Sequence, residues 1–296
     1  METLTNCPVC NSSSFTPFVE CIDYTVSKDK FKIVQCECGF RFTNPRPEEA
    51  EAGKYYQSDD YISHSNTKKG LVNSLYQVAR KFTLKRKLKL VNEVSGKQSG
   101  NLLDLGCGTG EFLNTCKESG WKVQGIEPSP DARAFASQQY GLTVHEVNKW
   151  DQFSDAAFDV VSAWHVLEHV YQLEETAKQV KRILSPDGTF VVALPNCSSA
   201  DAEFYKQFWA AYDVPRHIWH FTPADVKRFF EKQGFTLKET LPMPLDAFYI
   251  CMLSEKYKGG NTNYGRAAIH GWASNNQAAK TGTTFSSQIY ILKPVK

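Results

Sequence analysis

The stretch NLLDLGCGTGEFLN, from Asn101 to Asn114, constrains the fold more than any other part of the chain. An apolar run meets Asp104, and glycines then occupy three alternate positions before a helical pattern begins. Glycines in a turn between a strand and a helix let the backbone approach a bound nucleotide closely. The stretch therefore predicts an α/β unit that binds a nucleotide at this turn.

Strand and helix patterns alternate along the rest of the chain. The predicted strands are NLLDLG, KVQGIEP, TVHEV, FDVVSAW, TFVVALP, TLKETL and SSQIYILKP, and the predicted helices are GEFLNTCKES, DARAFASQQY, LEETAKQVKRIL and PADVKRFFEKQGF. This alternation indicates a mainly parallel sheet covered by helices on both faces. A further helical pattern, from Lys68 to Val94, contains the basic segment RKFTLKRKLKL. That segment is either a solvated helix face or a contact for an anionic substrate or membrane.

The residues around the glycine turn also indicate which nucleotide it binds. A dinucleotide-binding turn reads G-x-G-x-x-G, but Glu111 replaces the third glycine and would face a pyrophosphate. Asp104 suits an ammonium group or hydroxyls, and Glu127, at the end of the second strand, suits ribose hydroxyls. Together they describe a nucleoside with a cationic tail and no phosphate, a description that S-adenosylmethionine fits.

Three segments, LLDLGCGTGEFL, GIEPS and FDVVSAWHVLEHV, resemble the successive motifs of class I S-adenosylmethionine-dependent methyltransferases. The resemblance covers about residues 68 to 240. It implies a Rossmann-like, seven-stranded, mostly parallel sheet whose last strand is antiparallel, with the cofactor at the carboxyl ends of the strands. The cofactor-binding residues that it implies are Asp104, Gly106, Cys107, Gly108, Thr109, Gly110, Glu127, Pro128, Trp164 and His165.

Residues 1–60 form a cysteine-rich leader and linker, which we separate from a methyltransferase domain at 61–296. Two cysteine pairs in the leader can build a tetrahedral thiolate site for zinc, namely Cys7 with Cys10 and Cys36 with Cys38. The second pair is C-x-C, tighter than the usual spacing, so Cys21 is a substitute ligand and buried reduced cysteines are the alternative. The arrangement resembles the zinc-ribbon leader of some bacterial methyltransferases, including sugar C-methyltransferases, which implies a structural zinc.

The linker carries tyrosines that have two interpretations. Tyr55, Tyr56 and Tyr61 either form a lid over the cofactor, which places Tyr56 and Tyr61 among the cofactor contacts, or pack the leader against the main domain.

The segment WHVLEHV supplies His165, Glu168 and His169, which share one face if the segment is helical. It resembles quinone-biosynthesis O-methyltransferases, in which a Glu-x-x-Glu-His run is associated with magnesium. Here His165 replaces the first glutamate, and imidazole is a poor magnesium ligand. The alternative is a polar cluster that orders the loop. His165 is in either case a candidate general base.

The segment FWAAYDVPRHIWHFT follows the fifth strand and is expected above the cofactor. Arg216 can hold an anionic group of the acceptor, and His217 or Asp213 can accept a proton. The alternative is a packed loop in which an Asp213–Arg216 pair holds its own turn.

These features predict an enzyme that methylates an oxygen or carbon of a small molecule, such as a sugar, a quinone-like compound or another biosynthetic intermediate. The alternatives are an RNA base methyltransferase and a non-catalytic binding protein on the same fold. The net charge of +2 argues against a nucleic acid partner. No apolar run is long enough for a membrane span and no signal peptide is visible, so we expect a cytoplasmic protein; its oligomeric state is not indicated.

Overall fold

The computed structural model describes residues 1–57, 71–282 and 284–295, with residues 71–81 described by their backbone alone. Its strands are β1 (Phe15–Ile22), β2 (Lys30–Cys36), β3 (Arg41–Thr43), β4 (Asn101–Leu105), β5 (Lys122–Ile126), β6 (Val144–His145), β7 (Phe158–Trp164), β8 (Leu184–Pro195), β9 (Trp219–His220), β10 (Phe235–Pro242) and β11 (Ser287–Pro294). Its α-helices are α1 (Leu71–Ser95), α2 (Glu111–Glu118), α3 (Pro130–Tyr140), α4 (Leu173–Ile183), α5 (Ala200–Tyr205), α6 (Pro223–Lys232), α7 (Pro244–Gly259) and α8 (Tyr264–Thr281).

Seven strands form one sheet in the order β10-β11-β8-β7-β4-β5-β6. The pairs β4–β5, β5–β6, β4–β7 and β7–β8 are parallel, and β11, the last strand of the chain, is antiparallel to both of its neighbours. The predicted seven-stranded, mostly parallel sheet is therefore confirmed. The chain moves outward from β4 in one direction and returns through β7 to the other side, so the crevice for a ligand opens between β4 and β7.

Alternate residues of the central strands pack against different helices. Leu102 shares an apolar cluster with Val91 of α1 and Leu113 of α2, whereas Leu103 belongs to a cluster with Val180 of α4 and Phe229 of α6. Successive side chains of a strand point to opposite faces, so the two clusters are the cores above and below the sheet. Helices thus cover both faces, as the alternating sequence pattern predicts.

The leader forms a second sheet, and one of its strands comes from the main domain. The order is β1-β2-β3-β9, in which Phe42 of β3 pairs with Trp219 of β9. Sequence reasoning predicted the leader as a separate module and did not find this fourth strand, because β9 is only two residues long and lies in an irregular segment. The boundary expected at residue 60, and Tyr61 with it, lie outside the described residues.

A buried arginine joins the leader to the segment before β9. The Arg216 side chain is 4% exposed, and its guanidinium donates to Asp213 twice (2.9 and 2.6 Å), to Asp23 Oδ1 (3.0 Å) and to the Tyr55 carbonyl (2.9 Å). Four of its five N–H donors are thus used inside the protein. The geometry therefore favours a structural role for Arg216 and Asp213, in which they hold the leader in place. It favours this role more than the contact with the acceptor that the sequence suggested for them.

Two helices near the C-terminus, α7 and α8, were not identified from the sequence. Both helices expose large aromatic side chains, including Phe248, Tyr249 and Trp272. Apolar residues therefore lie on the exposed as well as the buried faces, which weakens the periodicity that indicates a helix. The start of α7 brings Asp246 beside His165, as described below. None of the helices among the described residues is long and apolar enough to cross a membrane.

We expect Arg216→Met to lower the free energy of unfolding by about 3 to 5 kcal/mol, because it leaves the Asp23 carboxylate buried without its cation. Urea denaturation measures this. Lys89→Met is the control, because Lys89 pairs with Glu93 on the exposed surface, and it should cost less than about 1 kcal/mol. Equal losses in the two variants would mean that the buried ion pair does not hold the leader.

Candidate functional site

The glycine turn between β4 and α2 needs a backbone conformation that favours glycine. Gly106 and Gly108 have φ angles of 62° and 55°. A Cβ on Gly106 would lie 2.6 Å from the Val166 side chain, whereas a Cβ on Gly108 would meet no atom of the described residues within 4 Å. Gly106 therefore lets the segment after β7 pack closely, and Gly108 leaves the turn open to a ligand.

Glu127 directly follows β5, and its carboxylate is hydrogen-bonded to the backbone of this turn. The Gly108 N–H donates to Oε2 at 2.9 Å, and the Ser129 N–H donates to Oε1 at 2.9 Å. The side chain is 8% exposed. Each carboxylate oxygen has two acceptor positions, so one remains on each for a ligand hydroxyl. The geometry suits a pair of neighbouring hydroxyls.

Asp104 is the last but one residue of β4 and lies opposite Ser162 of the neighbouring strand β7. It is 3% exposed, and the Ser162 hydroxyl of β7 donates to its Oδ1 at 2.6 Å. Burial raises the pKa of Asp104 to about 7, while Ser162 and the Lys87 charge act in the opposite direction. A carboxyl balanced near neutral pH ionises fully when a cation binds beside it. Ser162 was not singled out from the sequence, because serine within an apolar strand gives no distinctive pattern.

Lys87 is a further residue of the site. It belongs to the basic segment RKFTLKRKLKL, which the sequence indicated to be either a solvated helix face or a contact for an anionic substrate or membrane. Its Nζ lies 4.3 Å from the centre of the Trp164 ring and 5.7 Å from that of Phe112. Burial lowers its pKa, and the charges of Asp104 and Asp246 oppose this. The signal was present in the sequence: Leu84, Leu88 and Val91 mark the buried face of α1, and position 87 falls on that face.

His165 follows β7 with a φ of 57°, an uncommon conformation for a residue other than glycine. Its Nε2 lies 3.2 Å from Asp246 Oδ2 and its Nδ1 lies 3.5 Å from Glu168 Oε1. Burial lowers its pKa, but Asp246 and Glu168 outweigh this and raise the pKa of His165 to about 9. The imidazole is therefore protonated at neutral pH. Asp246 was missed because its contact with His165 joins distant parts of the chain.

Glu168, His169 and His217 form a second group beside His165. One ligand atom from each residue lies within 4.8 Å of the other two. His169 and His217 meet edge to face with ring centres 4.5 Å apart, and the Tyr56 hydroxyl lies 3.0 Å from His169 Nδ1. Burial and the nearby His217 charge lower the pKa of His169 to about 4, so this imidazole is neutral. Tyr56 thus contacts the loop after β7, while Tyr55 lies in an apolar cluster that joins the leader to the main domain.

The four leader cysteines come together as the spacing predicts. The Cys7 and Cys38 sulfurs are 3.8 Å apart, those of Cys10 and Cys36 are 3.4 Å apart, and all four lie within 4.8 Å of one another. Sulfurs bound at about 2.3 Å to one tetrahedral zinc stand about 3.8 Å apart. The group therefore fits zinc. Cys21, the substitute ligand suggested by the sequence, lies instead in a separate apolar cluster.

A family described as "Methyltransferase domain" matches residues 77–240, more than half of the chain. The chain belongs to this methyltransferase family. Its turn, Asp104 and Glu127 all lie within the matched residues. The methyltransferase is an S-adenosylmethionine-dependent enzyme, as the motifs imply.

Relatives of the methyltransferase include several with assigned reactions. The demethylmenaquinone methyltransferase of Chlorobaculum parvum is 26% identical over 180 residues, 53% of this chain and 75% of that protein. The ubiquinone biosynthesis O-methyltransferase of Azorhizobium caulinodans is 25% identical over 158 residues, 49% of this chain and 62% of that protein. An uncharacterized methyltransferase of Staphylococcus carnosus is 27% identical over 45% of this chain, and the match spans 64% of that relative's length.

Solved structures share the fold. The geranyl diphosphate C-methyltransferase of Streptomyces coelicolor A3(2) has a TM-score of 0.52 and 14% identity, with 71% of this chain and 76% of that chain covered. An S-adenosylmethionine-dependent methyltransferase from Archaeoglobus fulgidus has a TM-score of 0.50 and 21% identity, with 72% and 94% covered. These neighbours support the Rossmann-like architecture of the methyltransferase.

We expect the affinity of the methyltransferase for S-adenosylmethionine to rise between pH 5 and 7. Since the pKa of Asp104 is about 7, its carboxyl is mostly protonated at the lower pH and holds an ammonium group poorly. One proton lost on binding changes affinity by at most about tenfold per pH unit. Calorimetric titration measures the slope, and Asp104→Asn should flatten it. An equally steep slope in Asp104→Asn would assign the titration to another group.

Proposed function

We propose that the methyltransferase transfers a methyl group to an oxygen or carbon atom of a small molecule that loses a proton. The observation that carries this proposal is the His165–Asp246 pair, whose side chains are 34% and 27% exposed and 3.2 Å apart. His165 directly follows Trp164, the last residue of β7, and β7 lies beside the strand that leads into the glycine turn. A partly exposed charge pair beside the cofactor side of the crevice suits an acceptor that must be oriented and deprotonated.

The residues around the crevice fit S-adenosylmethionine. We assign the ribose hydroxyls to the free lone pairs of Glu127 and the ammonium group to Asp104. The Lys87 ammonium, close enough to act on the Asp104 charge, suits the carboxylate of the amino-acid tail. Gly108 offers open backbone, and Trp164 offers an aromatic surface. Gly106, Gly110, Cys107 and Thr109 shape the turn, and Pro128 follows Glu127 as an exposed residue.

The cofactor supplies a methyl group that its sulfonium already activates, so the protein chiefly aligns the acceptor and takes up its proton. Because His165 is protonated at neutral pH, we assign the base to the Asp246 carboxylate instead of to His165. The positive charge of the imidazolium, next to that carboxylate, then stabilises the negative charge that develops on the acceptor. When the acceptor O–H or C–H bond breaks, its proton passes to Asp246.

Two considerations favour a small acceptor. The names of the relatives above refer to demethylmenaquinone, ubiquinone biosynthesis and geranyl diphosphate, all small molecules. In this chain, Asp246 of α7 contacts His165 and Tyr56 of the linker contacts His169, so groups from two other segments border the loop after β7. No disulfide joins any of the nine cysteines, which supports the expected cytoplasmic location.

We expect label from methyl-tritiated S-adenosylmethionine to enter the small-molecule fraction of a cell extract. Asp246→Asn should lower this transfer by about 100- to 10,000-fold, because the base is lost, while cofactor affinity stays near the wild-type value. Asp155→Asn alters an exposed carboxylate that precedes β7, at the opposite end of this strand from His165; it is the control and should stay fully active. Wild-type transfer should also fall above pH 9, where His165 loses its proton.

Each contrary result has a definite meaning. A rate that rises through pH 9 would make His165 the base, as the sequence suggested. Label in the RNA fraction would favour the RNA methyltransferase alternative, and cofactor binding without transfer to either fraction would favour a binding protein. Equal transfer by wild type and Asp246→Asn would remove the pair from the mechanism.

We further propose that Cys7, Cys10, Cys36 and Cys38 hold one structural zinc ion. The role is structural because four thiolates fill a tetrahedral zinc and leave no position for a substrate. The buried apolar residues of the leader belong to clusters shared with the main domain, so the leader has little core of its own. A metal at the turns after the N-terminus and after β2 would therefore stabilise its sheet.

Metal analysis of protein purified without chelator should give one zinc bound by sulfur per chain. Cys10→Ser should lose this zinc and melt at a lower temperature, because three thiolates hold the ion poorly. Cys21→Ala changes a leader cysteine outside the group and should retain it. Retention of sulfur-bound zinc in Cys10→Ser, or its loss in Cys21→Ala alone, would contradict this ligand set.

A further inference from the structure

We propose that Glu168, His169 and His217 form a binding site for one divalent transition-metal ion, separate from the leader cysteines. The three residues come from two segments: the turn Leu167–His169 after β7 and the loop before β9. The Ile218 N–H donates to the Glu168 carbonyl at 2.8 Å and holds the two segments together. The ligand atoms therefore converge, within 4.8 Å, on a fixed backbone frame.

Hydrogen bonds to backbone carbonyls fix both imidazoles in the same tautomer. His169 Nδ1 lies 3.0 Å from the Arg216 carbonyl, and His217 Nδ1 lies 2.8 Å from the Ala211 carbonyl. A carbonyl oxygen can only accept, so each Nδ1 donates to its carbonyl, and Nε2 is the ring nitrogen left to bind a metal ion. Metal-binding histidines are typically oriented in this way, with the second ring nitrogen donating to a carbonyl.

The Glu168 carboxylate supplies the negative charge of the site and is not compensated by hydrogen bonds from the described residues. Its side chain is 1% exposed, and neither carboxylate oxygen is hydrogen-bonded to any of the described residues. His165 Nδ1, 3.5 Å from Oε1, gives electrostatic compensation at a distance too long for a good hydrogen bond. A buried carboxylate left in this state is costly unless a proton, a water or a cation binds there. An imidazole nitrogen from each histidine lies within 4.8 Å of this carboxylate, and that arrangement favours a metal cation.

The ligand types indicate the class of ion. Two imidazoles and one carboxylate are ligands for zinc, iron, cobalt or nickel, whereas magnesium prefers oxygen ligands. His165, which the sequence grouped with Glu168 and His169, is engaged by Asp246 and is not part of the triad. His217 takes the third position instead. Three protein ligands leave open coordination positions for water or for an oxygen of a bound small molecule.

The test is to count metal ions in the full chain with its leader intact. Wild type, Glu168→Gln, His217→Ala and the control His270→Ala are dialysed against Co²⁺ alone, and cobalt plus zinc is measured per chain. His270 stacks on Phe204, away from the triad. Wild type and His270→Ala should each hold one ion more than the two triad variants, whose cobalt affinity at this site should fall by at least about 100-fold.

A second measurement on wild type covers the case in which a triad variant fails to fold. X-ray absorption of the cobalt-loaded wild-type chain should show nitrogen and oxygen neighbours in addition to any sulfur neighbours from the leader. Cobalt with sulfur neighbours alone, or equal metal content in four folded proteins, would overturn the proposal and leave a water or a proton as the partner of Glu168. Neither readout depends on methyl transfer, so the proposal stands or falls independently of the acceptor.

Discussion

The cost of removing carboxylates from water governs the edge of the sheet at which β4, β5 and β7 end. Asp104, Glu127 and Glu168 are all nearly buried there, and each is compensated to a different degree. Glu127 receives two backbone N–H groups, Asp104 receives one hydroxyl, and Glu168 has no hydrogen bond from the described residues. Folding thus leaves negative charge without full compensation. A ligand that brings positive charge recovers part of that cost, which suits a sulfonium cofactor and a metal ion.

At the junction with the leader, by contrast, the buried charges are fully compensated. There a buried cation, Arg216, lies between the carboxylates of Asp23 and Asp213, and its remaining bond goes to a carbonyl. Charges that are paired in this way hold segments in place but are not available to a ligand. The loop before β9 thus carries two kinds of residue. Arg216 is fully paired and holds the leader, whereas His217 is a ligand in the metal site that we propose.

Sequence reasoning succeeded where the signal was local. The turn after β4, Asp104 and Glu127 follow strands in the same short unit, so spacing alone predicted their positions. Lys87 lies on the apolar face of the helix that precedes β4, so its position could have been read from the periodicity of that helix. Asp246 reaches the site from a helix distant in sequence, and a single sequence does not reveal such a contact. The tight spacing of Cys36 and Cys38 looked unfavourable, yet Cys36 ends β2 and Cys38 lies in the following turn, which brings both sulfurs to the group.

The contribution of β9 from the main domain to the leader sheet has a consequence for biosynthesis. A ribosome releases the N-terminus first, and N-terminal domains generally fold first during synthesis. The leader sheet, however, needs β9, and the Asp23 carboxylate needs Arg216, both from a part of the chain made much later. The leader therefore remains with an open sheet edge and an unpaired charge until the ribosome has added the 193 residues that separate Asp23 from Arg216. Such an edge is a target for chaperones, or for pairing with a neighbouring nascent chain.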